Sequence, residues 1–176
     1  MIQQNKEYRF RLGGSTQKGF YKYFPSNKEE LKTLMDMLII ERGNDADFND
    51  IETYGITDMS YLFKGKKDFN GDISKWCVDE VKNMEGMFEN AKAFNQDISN
   101  WDVSNVVDMS GMFMCASSFN QPIGTWNIKR VCNMSYMFEY ATAFNQDLSK
   151  WKGMSVNTED MFVGSGLEGN EPAWYK

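Results

Sequence analysis

The chain has no histidine, only three cysteines and three prolines, and no apolar run long enough to cross a membrane. Without histidine, the Ser-His-Asp and Cys-His nucleophilic systems are excluded, along with the commonest proton shuttle and the commonest zinc ligand. The cysteines, Cys77, Cys115 and Cys132, are odd in number and no two stand at close metal-ligand spacing, so they suit a reducing compartment better than a disulfide framework. The opening residues Met1-Ile2-Gln3-Gln4-Asn5-Lys6 contain no apolar stretch and therefore no signal peptide. That absence points to the cytoplasm, or to a chain that has lost its leader. Positive charge is scarce overall, with a formal net charge of −6. Lys6, Arg9, Arg11, Lys18 and Lys22 oppose only Glu7 within residues 1–25, which leaves −10 for the rest. An acidic body of this kind repels phosphate backbones and argues against a nucleic-acid groove.

Phenylalanine and methionine, by contrast, are abundant at 13 each, and their placement explains why. Trp76, Trp101, Trp126 and Trp151 recur every 25 residues, as do Met59, Met84, Met109 and Met134. Phe63, Phe88, Phe113 and Phe138 form another column, and so do Phe69, Phe94, Phe119 and Phe144. Asn70, Asn95, Asn120 and Asn145 follow these last phenylalanines, while Val81, Val106, Val131 and Val156 close the pattern. One unit alone has no second layer on which to bury its apolar positions, whereas stacked units bury them against each other in a continuous core.

Within a unit, Met84, Met87, Phe88 and Ala91 stand at i, i+3, i+4 and i+7, the spacing of one helix face. Asp58, Asn83, Asp108 and Asn133 precede that segment as candidate N-caps. Trp101-Asp102-Val103 alternates like a short half-buried strand. One short parallel strand plus one short helix in 25 residues predicts an α/β repeat, a right-handed solenoid of leucine-rich-repeat type. The Asn column is expected to turn inward and satisfy backbone groups of neighbouring coils. Three segments follow: an N-terminal cap over 1–50, a solenoid of about four to five repeats over 51–162, and a C-terminal cap over 163–176. In the N-terminal cap, Tyr8, Phe10 and Leu12 read as a hairpin with Gly13-Gly14 at its turn. A helix over 27–42 follows, opened by a capping box at Ser26-Asn27-Lys28-Glu29, carrying Leu31, Leu34, Met35 and Leu38 on one face, and stopped by Gly43. The last unit is a residue short, because Trp126 to Phe138 spans 12 positions and Trp151 to Phe162 only 11.

The segment over 109–131, Met-Ser-Gly-Met-Phe followed by Phe-Asn-Gln, Ile, Trp and Val at fixed spacing, resembles the repeat of bacterial BspA-like leucine-rich-repeat surface proteins. The resemblance covers roughly 51–176 and implies an irregular leucine-rich-repeat solenoid. It also implies a location at the cell surface or outside the cell, against the cytoplasmic sign of the leaderless N-terminus, and the compartment stays open between them. Two departures stand out: Pro122 replaces the acid found at Asp72, Asp97 and Asp147, and Cys77 and Lys152 replace the usual polar residue after tryptophan.

Candidate sites divide into columns that are constant and columns that vary. The constant Trp76, Trp101, Trp126, Trp151 and Asn70, Asn95, Asn120, Asn145 read as structural. The varying columns flank the buried strand residues: Lys75, Asn100, Thr125, Lys150; then Cys77, Asp102, Asn127, Lys152; then Asp79, Ser104, Lys129. A variable face on a constant scaffold is how a protein-binding repeat module is built, so these residues are the expected partner-binding surface. The Asp column could hold carboxylate pairs, but a catalytic site is made once and a column is made for every coil. Residues 44–50 are dense in oxygen ligands yet fail the calcium-loop pattern, with Asp50 where glycine is needed and Ile56 where glutamate is needed. No catalytic residue, metal or cofactor is therefore expected. The partner is expected to be another protein, and the chain a monomer or weak dimer, because strands exposed at the stack ends could pair. The rival reading is an intracellular regulator or inhibitor that binds an enzyme or nucleoprotein through its acidic surface.

Overall fold

The computed structural model describes residues 21–152 and 156–175. The expected hairpin lies largely outside them. Among the described residues the regular elements are one α-helix, α1 (Lys28–Arg42), and one three-residue 3₁₀ helix (Ile123–Thr125).

Helix α1 forms for ordinary local reasons. Asn27 is extended and its side chain accepts the Glu30 N–H at 2.9 Å, while the Glu30 carboxylate reaches back to the Ser26 N–H at 2.8 Å. The reciprocal cap is thus centred one residue later than Ser26. Glu29 and Glu30 complement the positive end of the helix and Arg42 the negative end. Gly43, at φ 93°, ends it with its N–H on the Ile39 carbonyl. Leu31, Leu34, Met35 and Leu38 are buried against the first coil.

Beyond α1 the chain forms a stack of turn-built coils, and the α/β leucine-rich-repeat solenoid expected from the sequence is not what it builds. The described residues contain no named strand, and no α-helix within the repeat. Coil-to-coil pairing consists of isolated parallel bridges, Asp58↔Asn83, Asn83↔Asp108, Asp108↔Asn133 and Asn133↔Asn157. These fall on the column expected to cap helices. Its side-chain oxygens do accept N–H groups, but two residues on: Asp58 from Ser60, Asn83 from Glu85, Asp108 from Ser110, at 2.8–2.9 Å. Each cap opens a turn instead of a helix.

The reason is visible in the backbone. Gly86 and Asn90 both take left-handed φ, at 54° and 59°, and so do their counterparts in the other coils. A right-handed helix cannot pass through two such residues four positions apart. The amide groups then divide their bonds. Met84, Gly86, Phe88 and Asn90 donate across to the next coil, to Asp108, Ser110, Met112 and Met114. Met87, Glu89 and Ala91 donate back three residues within their own coil. The expected strand at Trp101–Val103 is likewise the link between two turns, closed by Trp101 N–H on Ile98 and Val106 N–H on Val103.

The core follows the columns. Phe63, Phe88, Phe113, Phe138 and Phe162 stack at 5.4–5.8 Å between ring centroids with planes within 6°. The second column, Phe69 through Phe144, runs beside it at 6.0 Å. Trp76, Trp101 and Trp126 donate their indole N–H to the carbonyls of Phe48, Ile73 and Ile98 in the preceding coil. The ladder skips Trp151, whose buried Nε1 has no partner. Its equivalent acceptor would be Ile123, where Pro122 has sent the chain into the 3₁₀ turn. The stack resumes with Trp174, which donates to Leu148 at 2.7 Å, and Tyr175, which packs edge-on to Phe162 at 4.9 Å. The short unit keeps register: Asn157 still bonds Cys132 and Met134.

The Asn column does not turn inward. Asn95 and Asn145 are exposed and Asn70 and Asn120 half-buried. The first three side-chain oxygens accept the backbone N–H of the asparagine in the next coil, Asn70 from Asn95 and Asn95 from Asn120 at 2.9 Å, and Asn120 from Asn145 at 3.0 Å. Gln96, Gln121 and Gln146 donate to the carbonyls of Asn70, Asn95 and Asn120 beside this ladder.

Candidate interaction face

The two turns that frame each tryptophan position the variable residues. Lys75, Asn100, Thr125 and Lys150 sit at the tip of the turn before the tryptophan, and all four are exposed. Asp102, Asn127 and Lys152 follow it, also exposed, with Cys77 half-buried. Asp79, Ser104 and Lys129 begin the second turn, with Lys129 the most accessible of the three. The structure thus brings every varying column to one outer edge.

These residues do not all reach into solvent as free groups. The Asp102 carboxylate accepts the Ser104 N–H at 3.0 Å and Asn127 accepts the Lys129 N–H at 3.4 Å, so both brace their own turns. Cys77 donates its thiol to Asp79 at 3.0 Å. Burial, then that carboxylate, push the thiol up to about 12, which makes Cys77 a poor nucleophile at neutral pH. What projects freely is mostly lysine: Lys75, Lys129, Lys150 and Lys152.

The same edge carries further groups, some in other columns and one, Tyr54, 25 residues before Asp79 in a column already named. Arg130 donates to Asn105 at 2.7 Å, and Asn105 donates to the Asp79 carbonyl at 2.7 Å, tying three coils together. Tyr54 and Val107 are large apolar groups left 48% and 43% exposed. Their columns vary too, which is the signal that would have included them.

The Asp column is turn chemistry. Asp72, Asp97 and Asp147 accept the N–H of Ser74, Ser99 and Ser149, at 2.8–2.9 Å. For Asp97 the Ser99 bonds hold the carboxyl below its ordinary value, and for Asp147 the Ser149 bonds do. At Asp72 burial pushes upward and the bonds to Ser74 outweigh it. In residues 44–50, Asp47 accepts the Asn49 N–H, and Asp50 forms a two-pronged pair with Arg42 at 2.9 and 3.0 Å. Among the described residues no cluster of three or more acidic or cysteine side chains could hold a metal ion.

The opposite edge, along the left-handed turns, carries the other charge. Glu85, Glu89, Glu139, Glu159 and Asp160 lie there with Tyr61, Tyr136 and Tyr140, against Lys64, which pairs with Glu89 at 2.8 Å. Acidic side chains thus outnumber the cations named on this edge, where Lys64 pairs with Glu89 and Lys92 acts on Cys115.

A core of repeated columns under variable outer edges defines a repeat protein. The chain belongs to the family described as Mycoplasma protein of unknown function, DUF285, which matches residues 32–151, from inside α1 through the last tryptophan of the repeat. No curated protein and no solved structure matches it. Among the described residues no helix is long and apolar enough to cross a membrane.

Proposed function

We propose that the chain is a non-catalytic protein-binding module that engages its partner through the lysine-bearing turn edge, as a bacterial surface protein at a host interface. The observation that carries this reading is the contrast within single turns. The inward tryptophans repeat from coil to coil, while on one side of them Lys75, Asn100, Thr125 and Lys150 change and on the other Cys77, Asp102, Asn127 and Lys152 all differ. The exposed lysines Lys75, Lys129, Lys150 and Lys152 suit a partner with an acidic surface. The likeness of the repeat signature to BspA-like surface proteins supports the surface setting.

The test is solid-phase binding of the full chain to extracellular-matrix protein and to intact host cells, comparing wild type with a Lys75→Glu, Lys129→Glu, Lys150→Glu variant. Asp102 is left alone because it braces a turn. Binding that falls at least roughly tenfold at unchanged melting temperature supports the face; equal binding removes it. The acidic edge favours a second reading, an intracellular regulator that covers a basic surface on an enzyme or nucleoprotein. Binding to a cell's own lysate, lost on neutralising Glu139 and Glu159 and untouched by the lysine reversals, would select it.

A further inference from the structure

One position of each coil on the acidic edge is held at left-handed φ, by Tyr61, Gly86, Gly111, Tyr136 and Asp160 in turn. The Tyr61 ring lies over Gly86 in the next coil, so closely that a Cβ on Gly86 would run into the ring, and Gly86 is buried beneath it. The Tyr61 hydroxyl donates to Glu85, fixing the ring there. Tyr140 covers Gly164 in the same way further along the stack. In both places a ring from one coil fills the hollow that a glycine leaves in the next.

Gly111 has the hollow and no ring. The residue placed to cover it is Gly86, which has no side chain, and a Cβ built on Gly111 would meet only the Met114 Cβ, at 3.9 Å. Tyr136 does not close it from the far side, since its hydroxyl bonds Glu159 in the following coil. Nor does the backbone demand glycine there: Tyr61, Tyr136 and Asp160 adopt the same left-handed φ, between 49° and 59°. The hollow is bordered by negative charge. Glu139 and Glu89 both bear on the neighbouring Cys115 thiol, raising it after burial does, against a smaller opposing effect of Lys92. Glu89 is paired with Lys64, while Glu139 has no ion pair among the described residues.

We propose that the hollow at Gly111 docks an aromatic side chain of a partner protein, presented by a segment rich in lysine or arginine. The ring would lie on Gly111 as Tyr61 lies on Gly86, and the flanking cations would meet Glu139 and the acidic edge around it. The inference is independent of the lysine-edge reading and uses the same acidic edge as the second one.

The test titrates the isotope-labelled full chain with the peptide Lys-Lys-Tyr-Lys-Lys and follows the Gly111 and Met114 amide resonances. Saturable shifts at these two amides are expected at millimolar peptide. Replacing the peptide tyrosine by alanine, or its lysines by glutamate, should weaken the effect roughly tenfold. Gly111→Ala puts a Cβ where the ring must sit and should abolish the shift of Met114. Glu139→Gln, which leaves the turn intact, should weaken binding a few-fold and flatten its salt dependence. Absence of shifts, equal shifts with the alanine peptide, or unchanged binding in both variants would overturn the proposal.

Discussion

Helix α1 and the segment after Asn83 carry the same apolar spacing, Leu31, Leu34, Met35, Leu38 against Met84, Met87, Phe88, Ala91, yet only the first is a helix. Both bury their apolar residues completely or nearly so. The difference lies between the apolar positions. Within α1 these are Lys32, Thr33, Asp36 and Met37, with neither glycine nor asparagine among them. In the coil they include Gly86 and Asn90, the two types that tolerate it best. The neighbouring coil also offers carbonyls to every second amide of the segment after Asn83. Burial pattern therefore locates a buried face, and the destination of the amide hydrogens decides what backbone carries it.

The comparison is broken most severely in the core that both segments share. Phe113→Ala removes a fully buried ring stacked on Phe88, Phe119 and Phe138, and should cost about 3–5 kcal/mol in chemical denaturation. Leu34→Ala in α1 should cost about 2–4 kcal/mol, because its site lies at the end of the stack and relaxes more easily. Gly86→Ala should cost about 1–3 kcal/mol from the left-handed backbone and the Tyr61 ring together. The ring's share should vanish in a Tyr61→Ala background, whereas Gly111→Ala should show the backbone share alone.

Glycine sharpens the contrast with opposite signs. Lys32→Gly inside α1 should destabilise by about 1 kcal/mol, and Asn90→Gly should be neutral or stabilising by up to about 1 kcal/mol. The acid limb is subtler. Burial raises Asp50, but the Arg42 bonds and charge prevail and hold it below the ordinary carboxylate value. A depressed folded value means stability that is complete above the unfolded value, near about 4, and is lost as pH falls through the folded one. Arg42→Met should therefore lower the melting temperature most at neutral pH, with the gap to wild type closing as pH falls below that value. Smallest of all, Cys77 should alkylate far more slowly at pH 8 than the exposed Cys132, with no change in stability.

The period, the Trp, Met and Phe columns and the burial they imply could be read directly from the sequence, since repetition reports packing whatever the backbone does. The turn-capping chemistry of Asp58, Asn83 and Asp108 was also legible, and misleading, because the same oxygen-to-amide bond opens a helix or a turn. Gly65, Gly86, Asn90, Gly111 and Gly164 were the unused signal: left-handed residue types recurring in two columns of a supposed helix. What hid it was substitution by Tyr61, Tyr136 and Tyr140, which hold that conformation without advertising it. On the candidate face, which residues point outward followed from their variation. That Asp102 and Asn127 are occupied in bracing turns did not, because it depends on local geometry that spacing leaves open.

The central claim is that the amides of the repeat bond across coils. Scalar couplings through hydrogen bonds, measured on labelled protein, can test it at Asn90. The account predicts a coupling from the Asn90 amide to the Met114 carbonyl, with a parallel one from Gly86 to Ser110. A coupling from Asn90 to the carbonyl of Gly86, four residues back, would mean a helix there and would contradict it.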